Sequence, residues 1–372
     1  MKFYSNHGKF QQAKKNRSWK VVLIIVLAVI LLMAAVFCFI WQKLDLIQFD
    51  NEVDKSAYAT KPSETTPTET GAEEENTVNT EGLETVEKPY EIPDTELISN
   101  KEVLNILLIG TDERTNEFNV DARSDAMILA SINRKQNTIK LDSLERGIAA
   151  PILDGVYKGK YDWLTNIFRY GGADLLVETV EEMFKVDIDN YIRVNFCTVT
   201  TVVDAIGGIE IELTKPEAQF LRMYQGVYQS TKTQAPLVEG VNTLDGGMAL
   251  GYARLRAIDD DWFRIARQRK VVIATAQKLK GSSLKELNEF ANQVLPLIQT
   301  DLTKLEIADL MLYAPQILGA SFDQTTIPQP GHYGGMSIMG ENRGGFAVKY
   351  ELNNPYLHEF LYGSEEDQGE QG

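Results

Sequence analysis

Sulfur and imidazole are scarce in this chain. Its 372 residues include two cysteines, Cys38 and Cys197, and three histidines, His7, His332 and His358. Two thiols, one of them inside an apolar run, cannot build a disulfide framework, so stability must come from an ordinary core. Cys197, in YIRVNFCTV, reads as a small buried hydrophobe rather than a nucleophile. The histidines stand far apart, which leaves no readable histidine metal site and no Ser-His-Asp triad. An excess of basic charge is missing too: 53 Asp and Glu outweigh 37 Lys and Arg, for a net charge of -16. Nucleic-acid binders gain affinity by neutralising phosphates, so this balance excludes that class and makes any cationic cluster a local device. No internal period of roughly 20 to 50 residues is visible, which argues against a solenoid.

One long apolar run is present. From Val21 to Trp41, VVLIIVLAVILLMAAVFCFIW carries no charge. At about 1.5 Å per residue it spans the ~30 Å hydrocarbon layer. Trp19 and Trp41 stand at its ends, where aromatic rings favour the membrane interface. A signal peptide would have a shorter apolar stretch of about 7 to 15 residues, so the run predicts an uncleaved, single-pass anchor at 21–41. Lys2, Lys9, Lys14, Lys15, Arg17 and Lys20 precede it without an acid. That predicts a cytoplasmic basic tail at 1–20, with the main domain on the other side of the cytoplasmic membrane. Residues 51 to 100 hold thirteen acids against three lysines among Thr and Pro, so 42–100 reads as a disordered, self-repelling linker. The last stretch, 363–372, GSEEDQGEQG, reads as an acidic tail.

Between them lies the folded part. EVLNILLIG (102–110) has the pattern of a buried strand running into a loop, and AMILASINRKQNTIKLDSL that of a hairpin. NYIRVNF and IEIEL read as further strands. ADLLVETVEEMFKV, after Gly171 and Gly172, has helical spacing, as do RIARQRKVVIATAQKLK, SLKELNEFANQVLPLI and TKLEIADLMLYAPQIL. FDQTTIP and GFAVKYEL look like strands, and NPYLHEFLYG like a closing helix. Elements of both kinds alternate without a regular parallel repeat, which predicts an α/β fold: a mixed central sheet sandwiched between helices, α/β/α.

Polar residues gather where loops leave these strands. Asp112, Arg114, Arg123 and Asp125 lie in GTDERTNEFNVDARSD, and Arg146 in DSLERG. The most basic stretch is YARLRAIDDDWFRIARQRK (252–270). There Arg254 and Arg256 sit two apart in a segment that reads as a strand, so both would face one way. Arg264 and Gln268, four apart on a helix, share a face. Asp259, Asp260 and Asp261 read as the cap complementing that helix's dipole. Arginine forks make bidentate bonds to phosphate oxygens and stay charged when partly buried. Paired aspartates without histidine suit Mg²⁺, held by one or two carboxylates plus phosphate oxygens. The pattern points to an anionic, phosphate-bearing ligand and to phosphoryl transfer.

NILLIGTDER, RSDAMILASIN, NYIRVNF, VVDAIGGIEIEL, LDGGMALGYARLR and RIARQRKV, in this order, resemble the LytR-CpsA-Psr family over residues 101–280. The resemblance implies a bacterial membrane-anchored enzyme with its α/β/α domain outside and an apolar pocket for a polyprenyl chain. It implies transfer of a glycopolymer from undecaprenyl pyrophosphate to peptidoglycan through a phosphodiester. By resemblance, Asp112 and Asp125 bind Mg²⁺, and Arg146, Arg254 and Arg256 grip the pyrophosphate. Gln268, Arg264 and Arg123 would stand beside it. Two positions depart from the family pattern. Where it reads Pro-Arg-Asp-Thr, this chain has Glu145, Arg146, Gly147, Ile148; where it has lysine before a Tyr-Gly-Gly turn, this chain has Trp163, with Arg169 close enough to substitute. The departures leave a second reading, a receptor that binds the lipid-linked intermediate without transfer. Residues 281–362 follow the motifs as a C-terminal α/β extension on the same domain, a cover over the lipid-binding half or a glycan contact.

Overall fold

The computed structural model describes residues 41–50, 78–115, 117–224, 236–317, 319–338 and 343–363. The predicted membrane helix lies outside them except for Trp41, as do the basic tail and all but the first residue of the acidic tail. Among the described residues no helix is long and apolar enough to cross a membrane. Met1–Leu46 forms one unit and Ile47–Gly372 another, and the elements below belong to the second.

In chain order they are β1 (Gln48–Phe49), β2 (Val103–Thr111), β3 (Ser124–Asn133), β4 (Thr138–Leu144), β5 (Ala149–Pro151), β6 (Tyr161–Trp163), α1 (Leu164–Phe184), β7 (Asn190–Asn195), α2 (Phe196–Ala205), β8 (Ile209–Leu213) and α3 (Lys215–Tyr224). There follow β9 (Gly240–Leu244), α4 (Gly246–Ala253), α5 (Asp261–Leu279), α6 (Leu284–Val294), β10 (Gln299–Thr300), α7 (Lys304–Ile317), β11 (Ser321–Ile327), β12 (Tyr333–Ile338), β13 (Arg343–Val348) and α8 (Tyr350–Tyr362). Seven strands make a mixed sheet in the order β1-β10-β7-β2-β3-β4-β11. The pairs β1/β10, β2/β7 and β4/β11 are parallel, and the others antiparallel.

The period-two alternation of β2 and β3 explains the layers. Val103, Leu107 and Ile109, with Met127 and Leu129, pack against Phe168, Leu176 and Val180 of α1 and Leu357 of α8. Leu104, Ile106 and Leu108, with Ile128 and Ala130, pack against Val272 and Ile273 of α5 and Leu310 of α7. Both faces are covered, so apolar residues stand at successive positions along both strands, and the predicted α/β/α arrangement is found. A third cluster joins α2, α3, α4 and α5 to the β8–β9 hairpin through Val203, Leu213, Leu221, Met248 and Tyr252.

Four local readings need correction. Helix α1 begins at Leu164, before the glycine pair predicted to precede it; Gly171 and Gly172 instead form a kink inside it, with Gly172 at φ 71°. GFAVKYEL is strand only to Val348, because Lys349 caps α8 and its last three residues enter that helix. Cys197 is half-buried at the start of α2, its thiol 3.2 Å from the Arg114 carbonyl. Arg254 and Arg256 are not on a strand: Arg254 ends α4 and Arg256 follows in a loop, since eight small and apolar residues from Gly246 already form a helix capped by Asp245. In the segment read as a linker, residues 78–100 run along the domain. Val86 and Gly335 exchange backbone bonds with the opposite segment, and Ile98 does so with Lys185 and Asp187. Val78, Val86, Tyr90 and Ile92 pack against the core, which gives this part of the acidic stretch something to bury.

Candidate functional site

The loop after β2 carries Asp112 and is held from below. Arg193 of β7, fully buried, donates to Gln299 Oε1 (2.8 Å), to the Asn119 carbonyl (2.8 Å) and to Thr111 Oγ1 (3.3 Å), and is ion-paired with Glu113. Its guanidinium lies between the rings of Phe118 and Phe168, at 4.7 and 4.4 Å. A cation inside the apolar strand NYIRVNF was the sequence signal for this anchor. At the top of the loop Asp112 accepts from the Arg123 backbone N–H (2.9 Å) and Nε (3.0 Å). Burial and the nearby Asp125 carboxylate push the Asp112 carboxyl up, against the pull of Arg123.

Asp261, read from sequence only as part of a cap, is the centre of the cluster. The cap itself is Asp260, which accepts from Trp262 N and Phe263 N, while Asp259 pairs with Arg267. Asp261 sits one residue inside α5 and meets three guanidiniums. Arg264 bonds it bidentately (2.8 and 2.8 Å), Arg146 Nε is 3.1 Å away and Arg256 Nε 2.9 Å. Arg146 also lies 3.6 Å from Asp125, and Arg264 donates to the Asp125 carbonyl at 2.9 Å. Burial works to raise Asp125, but Arg146, Arg264, Arg123 and Arg256 hold its carboxyl below the usual range. Asp261 is held low in the same way, against burial, by Arg264, Arg146 and Arg256.

Positive charge is left over. Three guanidiniums share two carboxylates, and the nearest further acid, Glu145, is neutralised. Burial, the Asp261 carboxylate and a hydrogen bond to it push Glu145 up to about 8, so it keeps its proton at neutral pH. Arg256 shows the imbalance: burial, then repulsion by Arg264 and Arg146, bring it down to about 10. Its buried Nε is near enough to Asp261 for an ion pair, yet finds no aligned hydrogen-bond partner among the described residues. An orphaned donor in a cationic cluster calls for an anionic acceptor.

Beneath the cluster opens a cavity of about 270 Å³ between the sheet and helices α2, α4 and α5. Leu108, Ile128, Ile192, Val202 and Val272 form its body, while Asp125, Arg254, Arg256, Arg264 and Gln268 line its polar end. Thus five of the nine residues singled out from sequence line one cavity. Arg254 stacks its guanidinium 4.5 Å over the Phe196 ring. Arg146, Asp112 and Arg123 join the same group through Asp125, Asp261 and each other. Arg169, on α1, is not among the lining residues.

The two departures have a structural counterpart. Trp163 is buried and donates from Nε1 to the Gly344 carbonyl (2.9 Å), and the Gly147 carbonyl accepts from Phe346 N (2.9 Å). Both contacts seat the β12–β13 hairpin. A Cβ at Gly147 would stand 2.3 Å from Val78 Cγ2, so an aspartate there requires Val78 to shift.

Comparison with known proteins identifies the family. The LytR_cpsA_psr family model matches residues 56–353. The chain is 35% identical over 185 residues to the polyisoprenyl-teichoic acid–peptidoglycan teichoic acid transferase TagT of Bacillus subtilis, covering 49% of this chain and 55% of that one. It is 34% identical over 238 residues to the corresponding transferase TagU of Bacillus cereus, covering 63% and 72%. A solved structure of the LytR-CPS2A-psr family protein YwtF (TagT) with bound octaprenyl pyrophosphate lipid superposes with a TM-score of 0.50 at 26% identity, over 73% of this chain and 96% of that one. This chain belongs to the LytR-CpsA-Psr family.

Proposed function

We propose that the protein transfers a glycopolymer from an undecaprenyl-pyrophosphate carrier to peptidoglycan, working outside the bacterial cell membrane on a single-pass anchor at 21–41 with its N-terminus inside. The observation that carries the reading is the convergence of Arg146, Arg256 and Arg264 on one carboxylate at the mouth of an apolar cavity. A lipid diphosphate matches both halves, since its charge suits the surplus guanidiniums and its tail the apolar body. At about 270 Å³ the cavity takes the head-proximal part of the chain, not its whole length.

In the proposed reaction a muramic acid hydroxyl attacks the sugar-proximal phosphorus. A new P–O bond forms, the P–O–P bridge breaks, and undecaprenyl phosphate leaves with the electron pair. The arginines neutralise charge on the transferring phosphoryl group, Gln268 donates beside it, and Asp112 or Asp125 takes the hydroxyl proton. Mg²⁺ fits the acid pair: Asp112 and Asp125 repel one another, and two carboxylates plus diphosphate oxygens are a usual Mg²⁺ environment. Among the described residues no group of three or more His, Cys, Asp or Glu side chains could hold a metal, so the substrate would complete the shell. Bound there, the ion would add positive charge at the oxygens where negative charge develops.

The test is the full-length protein in detergent with an undecaprenyl-pyrophosphate-linked glycan, peptidoglycan and Mg²⁺. Release of undecaprenyl phosphate with glycan on the wall polymer supports transfer, and Arg254→Ala should abolish it. Retention of intact lipid without release would establish the receptor reading instead.

A further inference from the structure

Helix α5 works as a ruler along the proposed substrate. Val271, Val272 and Thr275 line the apolar body of the cavity, and Arg264 and Gln268 its polar end. At about 1.5 Å per residue, Thr275 and Arg264 are roughly 16 Å apart along the axis. A glycosyl diphosphate laid with its tail toward Thr275 and its phosphates at Gln268 and Arg264 must send its first sugar past the N-terminal end of this helix. There Trp262 packs against Tyr333 and Phe346 of the β12–β13 hairpin, with ring centroids 5.6 and 5.7 Å away, and Tyr333 meets Phe346 edge-on at 5.0 Å. Trp262 and Tyr333 are only partly buried, whereas Phe346 lies beneath them.

Resting on the proposed function, we propose that Trp262 and Tyr333 form a carbohydrate subsite, an aromatic platform for the first pyranose ring of the donor glycan. Flat ring faces take the apolar C–H face of a sugar, and the indole N–H and phenol O–H supply polar handles. Burial, then the Glu145 and Asp260 carboxylates at the alkaline pH where a phenol titrates, push the Tyr333 phenol up, which places this end of the platform beside the residues of the arginine cluster. The hairpin is seated by the two residues that break the family motif, Gly147 and Trp163. Those changes exchange one charged pair of positions for an aromatic surface beside the diphosphate cradle.

Binding of two probes to the full-length protein in detergent tests this: a short polyprenyl diphosphate, and the same lipid carrying N-acetylglucosamine on its diphosphate. The native protein should prefer the sugar-bearing lipid by about tenfold. Trp262→Ala and Tyr333→Ala should each remove that preference and leave affinity for the bare lipid unchanged, which also shows the fold intact; Trp262→Phe should keep part of it. Equal affinity for the two lipids in the native protein, preference surviving in both alanine variants, or equal loss for both lipids would overturn the platform. A soluble peptidoglycan disaccharide whose binding alone depends on Trp262 would place the acceptor there and overturn the donor assignment. Failure of the native protein to bind even the bare lipid would overturn the proposed function, and the platform with it.

Discussion

Replacing Asp261 with asparagine should destabilise the protein and, at the same time, make it respond more strongly to diphosphate. The side chain keeps its shape and one acceptor oxygen but loses the charge shared by Arg146, Arg256 and Arg264. Removing one partner of a buried ion pair costs about 3–5 kcal/mol, because the charge left behind is uncompensated. The low end applies, about 3 kcal/mol, since the Asp261 and Arg256 side chains retain 22% and 24% exposure and water screens part of the repulsion. For a domain of this size that is a fall in melting temperature of roughly 6–10 °C. Three guanidiniums facing only Asp125 would then bind a dianion more favourably, so inorganic pyrophosphate should raise the melting temperature of Asp261→Asn more than that of the native protein. The pH dependence has a definite sign. The Asp261 carboxyl is held below its ordinary 3.8, so its contribution is complete above about pH 4 and is lost as pH falls below that value. The gap between the two proteins should close on acidification. Calorimetric scans at several pH values, with and without pyrophosphate, measure all of this. A variant as stable as the native protein at pH 7, or one that pyrophosphate stabilises less, would refute the hub.

Three further outcomes follow from neighbouring residues. Arg256→Ala should leave the fold no weaker, because it relieves repulsion with Arg264 and Arg146, yet lower affinity for a polyprenyl diphosphate by about 10- to 100-fold, the worth of a hydrogen bond to a charged group; a loss of stability without a loss of binding contradicts this. Glu145 is shifted up from 4.5 to about 8, so the folded state holds a proton that the unfolded state releases, and native stability should decline across that pH window. Glu145→Gln removes the titrating group, and a pH-independent difference between the two melting curves would show that folding does not shift the Glu145 pKa. Gly147→Asp, which introduces the acid that the sequence resemblance leads one to expect, forces a Cβ to 2.3 Å from Val78 Cγ2 and should cost about 1–3 kcal/mol by overpacking. Loosening of the hairpin should red-shift the emission of Trp163, and unchanged stability and emission would speak against that contact.

The sheet was legible in advance because short apolar runs ended by Gly and polar residues mark strands buried on both faces, as Val103–Thr111 and Ser124–Asn133 are. Arg264 and Gln268 were legible from the helical period, four apart on a helix whose face it sets. What failed depended on local geometry that pattern does not encode. Asp259, Asp260 and Asp261 are identical in sequence, yet the turn into α5 sends one to Arg267, one to the helix N–H groups and one to the arginine hub. Arg264 and Arg267 likewise look alike, but three positions on a helix part them: Arg267 is committed to Glu217, Asp259 and the Leu255 carbonyl. Arg254 and Arg256 were expected together for the wrong reason, a strand alternation that a short capped helix replaces.

The motif departures are the case where sequence and structure inform each other most. Alone, Gly147 in place of an acid and Trp163 in place of a lysine read as lost charges and hence as lost catalysis. In the fold they are one change, because both contact the same hairpin: the Gly147 carbonyl receives Phe346 N, and Trp163 reaches the Gly344 carbonyl. A lysine at 163 could not fill the apolar pocket made with Met336, Ile338 and Ala347, and an aspartate at 147 would strike Val78. Neither substitution fits alone while the hairpin stays docked in its present packing. Here Glu145 keeps a proton and passes a hydrogen bond to Asp261, which organises Arg146, Arg256 and Arg264. The C-terminal hairpin is therefore coupled to the cluster, and variants that undock it should weaken diphosphate binding although no hairpin side chain lines the cavity.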